Sequence, residues 1–337
     1  MLDENGQKYG YDASKISQNC IGSSAFRDCQ SLTSITIPEN VISIGSGAFA
    51  NCDSFTSITI PNSVTSIADD MFFGCNAIAT IVIPDSVTDI GEESFYGCNS
   101  LESVVIGNNV TNIGDYAFAY CSSLKNLDIP DSVTSIGVHA FADCSSLTSV
   151  VISKSLTYIG GFAFYQCINL ESVYIENLKN WCEIIFDGPS SSPVIYAKKL
   201  YLNNELITDL IIPNGCTRIG YKAFYYLDQI QTIVVPDSVV YIDNSAFEHC
   251  KNVVSITISD GVQTIGERAF MSCGAVQNIT MGNNVHSIGN SAFNSHKIQT
   301  IYLSDKLESL NDIFYQCSKL KDIYYGGTVE QWNTLSK

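Results

Sequence analysis

The stretch Ile44-Gly45-Ser46-Gly47-Ala48-Phe49-Ala50-Asn51-Cys52 decides the fold, because it keeps coming back. It recurs as Ile90 to Cys98, Ile113 to Cys121 and Ile136 to Cys144. Its phenylalanine falls at Phe26, Phe49, Phe72, Phe95, Phe118, Phe141 and Phe164, every 23 residues. A second run holds Phe224, Phe247, Phe270 and Phe293 at the same spacing, with Phe314 two residues short. A fixed period in this range signals a stack of similar units, none of which buries its own apolar face alone.

Working outward, each Cys is followed by a strand-like phrase: Leu32-x-x-Ile35-x-Ile37-Pro38, Phe55-x-x-Ile58-x-Ile60-Pro61, Ile78-x-x-Ile81-x-Ile83-Pro84. Apolar, mostly β-branched residues alternate, which is the period of a strand. Proline lacks the N–H needed by a ladder and suits the strand's end. A turn such as Pro130-Asp131-Ser132 follows, where Pro presets the backbone and Asp bonds nearby amides. Val133 and Ile136 then point inward, and Gly137 precedes a short helical or 3₁₀ turn carrying Ala140-Phe141. About fourteen such strands at about 4.8 Å spacing would run roughly 60 Å. Because the Ala-Phe segments are wider than a strand, the array is expected to bend with its parallel sheet on the concave side.

The phrase L-x-x-I-x-I within this period resembles the leucine-rich-repeat superfamily, and I-G-x-x-A-F-x-x-C-x-x-L-x-x-I-x-I-P resembles its BspA-like subgroup of bacterial and some protist surface proteins. The resemblance spans about residues 21–325. It departs from common leucine-rich repeats at their inward Asn, where this chain has Asn40, Ser63, Ser86, Asn109, Ser132 and Ser155. It implies an α/β solenoid, an extracellular or cell-surface location, an adhesion role through a protein ligand, and no catalytic residues.

The period fails between Ile175 and Ile212. Leu178-Lys179-Asn180-Trp181-Cys182-Glu183-Ile184 replaces the Ala-Phe segment, Gly188 to Pro193 reads as a loop, and Leu200 to Ile207 reads as a β-hairpin. Val329-Glu330-Gln331-Trp332-Asn333-Thr334-Leu335 echoes the Trp181 segment, and both follow Tyr-rich strands. The expected division is an N-terminal flank or cap over 1–20, a first sub-array over 21–175, an irregular repeat over 176–206, a second sub-array over 207–325, and a C-terminal cap over 326–337. Trp181 reads as a structural splice or as part of a binding protrusion.

Chemistry is sparse. The net charge is −17 and the 17 basic residues are scattered, which disfavours nucleic acid and anionic membrane and, if anything, favours basic partners. No apolar run reaches the roughly 18 residues of a membrane span. Ten of the 13 cysteines sit in or near the repeat slot, where Leu227 and His296 also occur, so a ladder of free buried thiols is expected. Cys216 replaces an inward Val, and Cys20 and Cys182 lie outside the ladder. No H-E-x-x-H, G-x-S-x-G or phosphate-cradling loop occurs, and the histidines, including His139, His249 and His286, form no cluster. No metal or cofactor is expected. The turn file Glu39, Asn62, Asp85, Asn108, Asp131, Asp237, Asp260 and Asn283 suits turn formation better than Ca²⁺ binding. Asp128 and Asp209 stand too far apart for paired-carboxylate hydrolysis.

The residues between the inward positions form the open sheet face. Ser34, Thr36, Ser57, Thr59, Thr80, Val82, Ser103, Val105, Ser149 and Val151 make it flat and weakly polar. Aromatics enter only later, at Tyr174, Tyr201, Tyr302 and Tyr324. With Trp181, these are the candidate ligand-binding residues, since tyrosine offers large contact area with a polar tip. The reading is a monomeric, non-catalytic interaction protein; a glycan-binding module built on Tyr174, Tyr201 and Trp181, or a passive stalk, are the alternatives.

Overall fold

The computed structural model describes residues 19–295, 297–310 and 312–335. Most of the expected 1–20 flank and the slot residue His296 lie outside the described residues. The chain is a parallel β-solenoid of about 13 turns with few helices. Each regular coil contributes a rung to three ladders.

The first ladder comes from the L-x-x-I-x-I phrase. Asn126–Asp128, Ser149–Val151 and Ser172–Ile175 pair in parallel, placing Leu127 beside Val150 and Val150 beside Val173. The register is therefore the sequence period itself, and inward residues stack on inward residues. The second ladder comes from two-residue strands, Ser66–Ile67, Asp89–Ile90, Asn112–Ile113, Ser135–Ile136 and Tyr158–Ile159, which carry the inward Ile of the I-G pair.

The third ladder corrects the expected helical or 3₁₀ turn. The Ala-Phe segments are successive tight turns, and the described residues contain α-helix only at Leu178–Glu183 (α1), Val194–Ala197 (α2) and Val329–Thr334 (α3). Two positions per coil take left-handed backbone, the second residue after the Gly (Glu93, Tyr116, His139, and Asp70 where Ala68 replaces the Gly) and the residue before the Cys (Asn51, Tyr120, Asp143). Amides then alternate. Ala48, Ala50 and Cys52 bond three residues back, whereas Gly47, Phe49 and Asn51 donate to Asp69, Met71 and Phe73 of the next coil. A helix would direct its amides, beyond the first turn, along its own axis and leave fewer rungs to join neighbouring coils on this side.

The core is a set of columns. Phe49, Phe72, Phe95, Phe118, Phe141 and Phe164 are fully buried and stack at 4.9–5.6 Å between ring centroids. A second column runs from Phe224 to Phe293 at 5.0–5.5 Å. Each fully buried ring contributes about 1.5–3 kcal/mol by burial. The cysteine column is more than small apolar filler. Cys75, Cys98, Cys121 and Cys144 donate their S–H to the carbonyls of Phe49, Phe72, Phe95 and Phe118 at 3.1–3.3 Å. No disulfide joins the described cysteines, and burial pushes the Cys75 thiol up to about 12. At the Asn/Ser position, Ser63 and Ser86 donate to Val41 and Val64, while the longer Asn109 reaches Asp85 O at 2.7 Å.

The column breaks where the period breaks. Ser172–Ile175 is followed by α1, the short strand Ile185–Phe186 that pairs with Tyr158–Ile159, α2, and the strand Leu200–Leu202 that pairs in parallel with Ser172–Ile175. Leu200–Leu202 also pairs antiparallel with Glu205–Leu206 around Asn203 and Asn204, whose φ values of +50° and +65° make a two-residue hairpin turn. Glu205–Leu206 ends that sheet, and a new one starts at Asp209–Ile211.

Candidate functional site

At the break, α1 takes over the work of a missing coil. In regular coils the glycine amide donates to the preceding inward Ile carbonyl, as Gly114 does to Ile90 at 2.8 Å. Gly220 donates instead to Cys182 O at 2.8 Å. Regular Thr amides donate to the Thr carbonyl one coil back, as Thr111 does to Thr88, whereas Thr217 N donates to the Glu183 carboxylate at 3.0 Å. Regular Ala carbonyls accept from the Phe amide one coil back, as Ala140 does from Phe118; Ala223 O accepts from the Trp181 indole at 3.0 Å. Three rungs are thus remade, two of them by side chains.

Trp181 is therefore corrected as a candidate ligand residue. It is only 1% exposed, its ring meets Phe186 edge-on at 5.2 Å, and its indole N–H is spent on Ala223. It packs inside the core and offers no surface for stacking. The echo segment also forms a helix, α3, which Thr328 and Gln331 close with reciprocal side-chain caps, and Trp332 packs at 5.5 Å from Tyr325.

The four tyrosines are placed in two pairs. Tyr174 and Tyr201 are register partners, half-buried, with rings stacked at 4.8 Å. Tyr302 and Tyr324 are register partners stacked at 4.7 Å, 43% and 52% exposed. Strands 209–211, 232–235, 255–258 and 278–280 lie between the pairs, on the order of 20 Å at ordinary strand spacing. The candidates do not converge on one site.

Toward the N-terminus from Tyr174, the same face carries a shallow groove. Its floor includes Val82, Val105 and Val151, and its rim includes Asp85, Asp131 and Glu176. Val82 and Val105 are more than half exposed. These valines alternate with buried Ile81 and Val104, so they project to the open side. The rim acids also hold the turns: Asp85 accepts the Asn108 amide at 2.7 Å, and Asp131 pairs with Lys154. Asp128 and Asp209 fall in different sheets, and no group of three or more His, Cys, Asp or Glu among the described residues is placed to hold a metal ion.

A second aromatic surface escaped sequence reasoning. On the turn ladder, Tyr116, His139 and Phe162 stack at 4.7 and 5.0 Å, and Phe73, Tyr96 and Tyr120 form a neighbouring file. Tyr225, Tyr226 and His249 cluster in the second stack, with Lys222 Nζ 4.7 Å from the Tyr225 ring. The signal was present as aromatics flanking Ala-Phe at constant period, obscured by reading that segment as a helix.

This geometry agrees with the sequence comparisons. The profile of the BspA type leucine-rich repeat region matches residues 19–122, 70–192 and 194–321, and the chain belongs to that family. A leucine-rich repeat protein from Bacteroides ovatus is 28% identical over 91% of this chain and 87% of its own, with a TM-score of 0.55. A leucine-rich cell surface protein from Faecalibacterium prausnitzii is 26% identical over 90% of each chain, with a TM-score of 0.48. The pneumococcal vaccine antigen PcpA shares the fold at 16% identity, covering 94% of this chain and 85% of its own with a TM-score of 0.53. No curated protein matches the sequence. No helix among the described residues is long and apolar enough to cross a membrane.

Proposed function

We propose that the protein is a non-catalytic interaction module, displayed at a bacterial cell surface, that holds a protein ligand along its longer-strand sheet. Its two sub-arrays, 21–175 and 207–325, act as one rigid support joined by the irregular repeat 176–206. The observation that carries this reading is the continuous open face running from the Val82–Val105 groove to the Tyr174–Tyr201 stack. An apolar floor flanked by tyrosine and rimmed by carboxylates is the composition of a protein contact surface, with hydrophobic centre and polar edge. The acid rim and the net charge of −17 favour a ligand segment bearing Lys or Arg. Family membership supports the surface location.

The alternative glycan platform loses support from two features. Trp181 is in the core, and the tyrosine rings stack along the array axis, so each covers one face of its partner and turns its edge outward. A sugar ring stacks on an open aromatic face.

The test is binding of the whole chain to matched arrays of extracellular-matrix proteins and glycans, beside the double variant Tyr174→Ala/Tyr201→Ala. A protein signal is expected, weakened about tenfold in the variant, equivalent to roughly 1.4 kcal/mol. A glycan signal displaced by free sugar would replace this reading with the platform, and silence on both arrays would leave a stalk.

A further inference from the structure

We infer that Cys182 and Cys216 form a redox site, a thiol pair that becomes a disulfide clamping the two stacks together across their junction. Cys182 lies on α1; Cys216 occupies the slot that regular coils fill with Val64, Val87, Val110, Val133 and Val239. Both side chains are buried. Their neighbours are pinned together, since Thr217 N donates to the Glu183 carboxylate at 3.0 Å and Gly220 N to Cys182 O at 2.8 Å. The two thiols are close enough that each shifts the ionisation of the other.

The repeat-slot thiols are arranged differently. Each of Cys98, Cys121 and Cys144 spends its S–H on a phenylalanine carbonyl, and successive side chains point the same way. That parallel arrangement misses the torsion of about 90° a disulfide requires. Reactivity is also divided. Burial raises the ladder thiols, whereas the adjacent Cys182 thiol, helped by the Lys179 ammonium, holds Cys216 below the usual thiol range against burial and the Glu183 carboxylate. The Lys179 Nζ sits 3.6 Å from the point where a side chain on Gly215 would begin. That ammonium beside the turn favours Cys216 as the attacking sulfur.

The oxidant is a small-molecule or protein disulfide. The Cys216 thiolate attacks one of its sulfurs, breaking that S–S bond and releasing a thiolate, which takes up the proton lost by Cys216. Cys182 then attacks the Cys216 sulfur of the mixed disulfide, and the second thiolate leaves with the Cys182 proton. Two protein thiols are oxidised and one disulfide is reduced to two thiols. Burial places the exchange during folding, or during opening of the junction. The proposed surface location would supply an oxidising medium, but the chemistry is testable without that reading.

The full chain is refolded in a buffer of oxidised and reduced glutathione, alkylated, and mapped by mass spectrometry without reduction. The expected result is loss of two of the 13 thiols, an intact mass lower by two hydrogens, and a single linked peptide pair containing Cys182 and Cys216. Reductant should then lower the thermal midpoint. Cys216→Val restores the residue of the other coils and should keep its remaining thiols reduced, with a midpoint indifferent to reductant; Cys182→Ala is an independent control. Folded protein with all its thiols free, or with a bridge between ladder cysteines such as Cys98 and Cys121, overturns the inference.

Discussion

Between Ile113 and Ile136 one coil follows another chiefly through backbone, with side-chain bonds such as Thr134 Oγ1 to Thr111 O added to it. Between α1 and Ile219 the joint is made largely by side chains. In the first case the ladder amides find their carbonyls because the two coils have equal length, and the residues on top are interchangeable within wide limits. In the second the coil is missing, and a carboxylate, an indole and a helix terminus must each reach one particular atom. Regular joints tolerate Leu227 in a Cys slot; the irregular joint has specific chemistry at Trp181, Glu183 and Gly220. Sensitivity to mutation should therefore concentrate at the break, even though the break looks like the least ordered part of the sequence.

The largest expected effect tests that contrast directly. Trp181→Ala opens a cavity costing about 3–5 kcal/mol and strands the buried Ala223 carbonyl for about 1–3 more. Because stacked repeats couple only through neighbouring interfaces, equilibrium denaturation should split into two transitions. Phe118→Ala makes a comparable cavity of about 3–5 kcal/mol but leaves the backbone rungs on both sides in place, so its coils should still unfold with their neighbours. A Trp181→Ala curve no more displaced than that of Phe118→Ala, and still single, would break the comparison.

A smaller effect sharpens it from the regular side. Asp85→Ala removes the acceptor of the Asn108 amide, an exposed bond repeated between coils as Asn283 N to Asp260. Its cost should be about 0.5–1.5 kcal/mol in urea unfolding, well short of a change at the break.

The smallest effect is electrostatic. Burial lowers the His249 pKa, favouring the neutral ring against Tyr226. The unfolded chain therefore takes up this proton first as pH falls. Stability from the neutral ring is present above the unfolded value of about 6.5 and is lost as pH drops through the lower folded value. Midpoints measured from pH 7 to 5 should fall more steeply for the native chain than for His249→Asn, a residue that tolerates the left-handed backbone His249 adopts. Equal slopes would remove His249 from the pH response.

The stacking and its columns were legible because identical residues at a constant interval must superimpose once one pair does. The helical misreading of the Ala-Phe segment arose because Gly47 and Asp70 announce left-handed backbone, but Tyr116, His139 and Phe162 occupy the same position and do not. The candidate face was legible as alternation along each strand. Its division into two tyrosine pairs was not, because the break inserts a hairpin and starts a new sheet.

The sequence by itself determined the repeat, its register, the inward Phe, Ile and Cys columns and the absence of recognisable catalytic motifs, all of which follow from local period and composition. Only the tertiary structure decided that the turns form a third ladder, that Trp181 belongs to the core, and that the segment of Cys182 is tied to that of Cys216. These depend on which atoms approach across a gap of more than 30 residues, and no periodicity carries information across a gap where the period itself has failed.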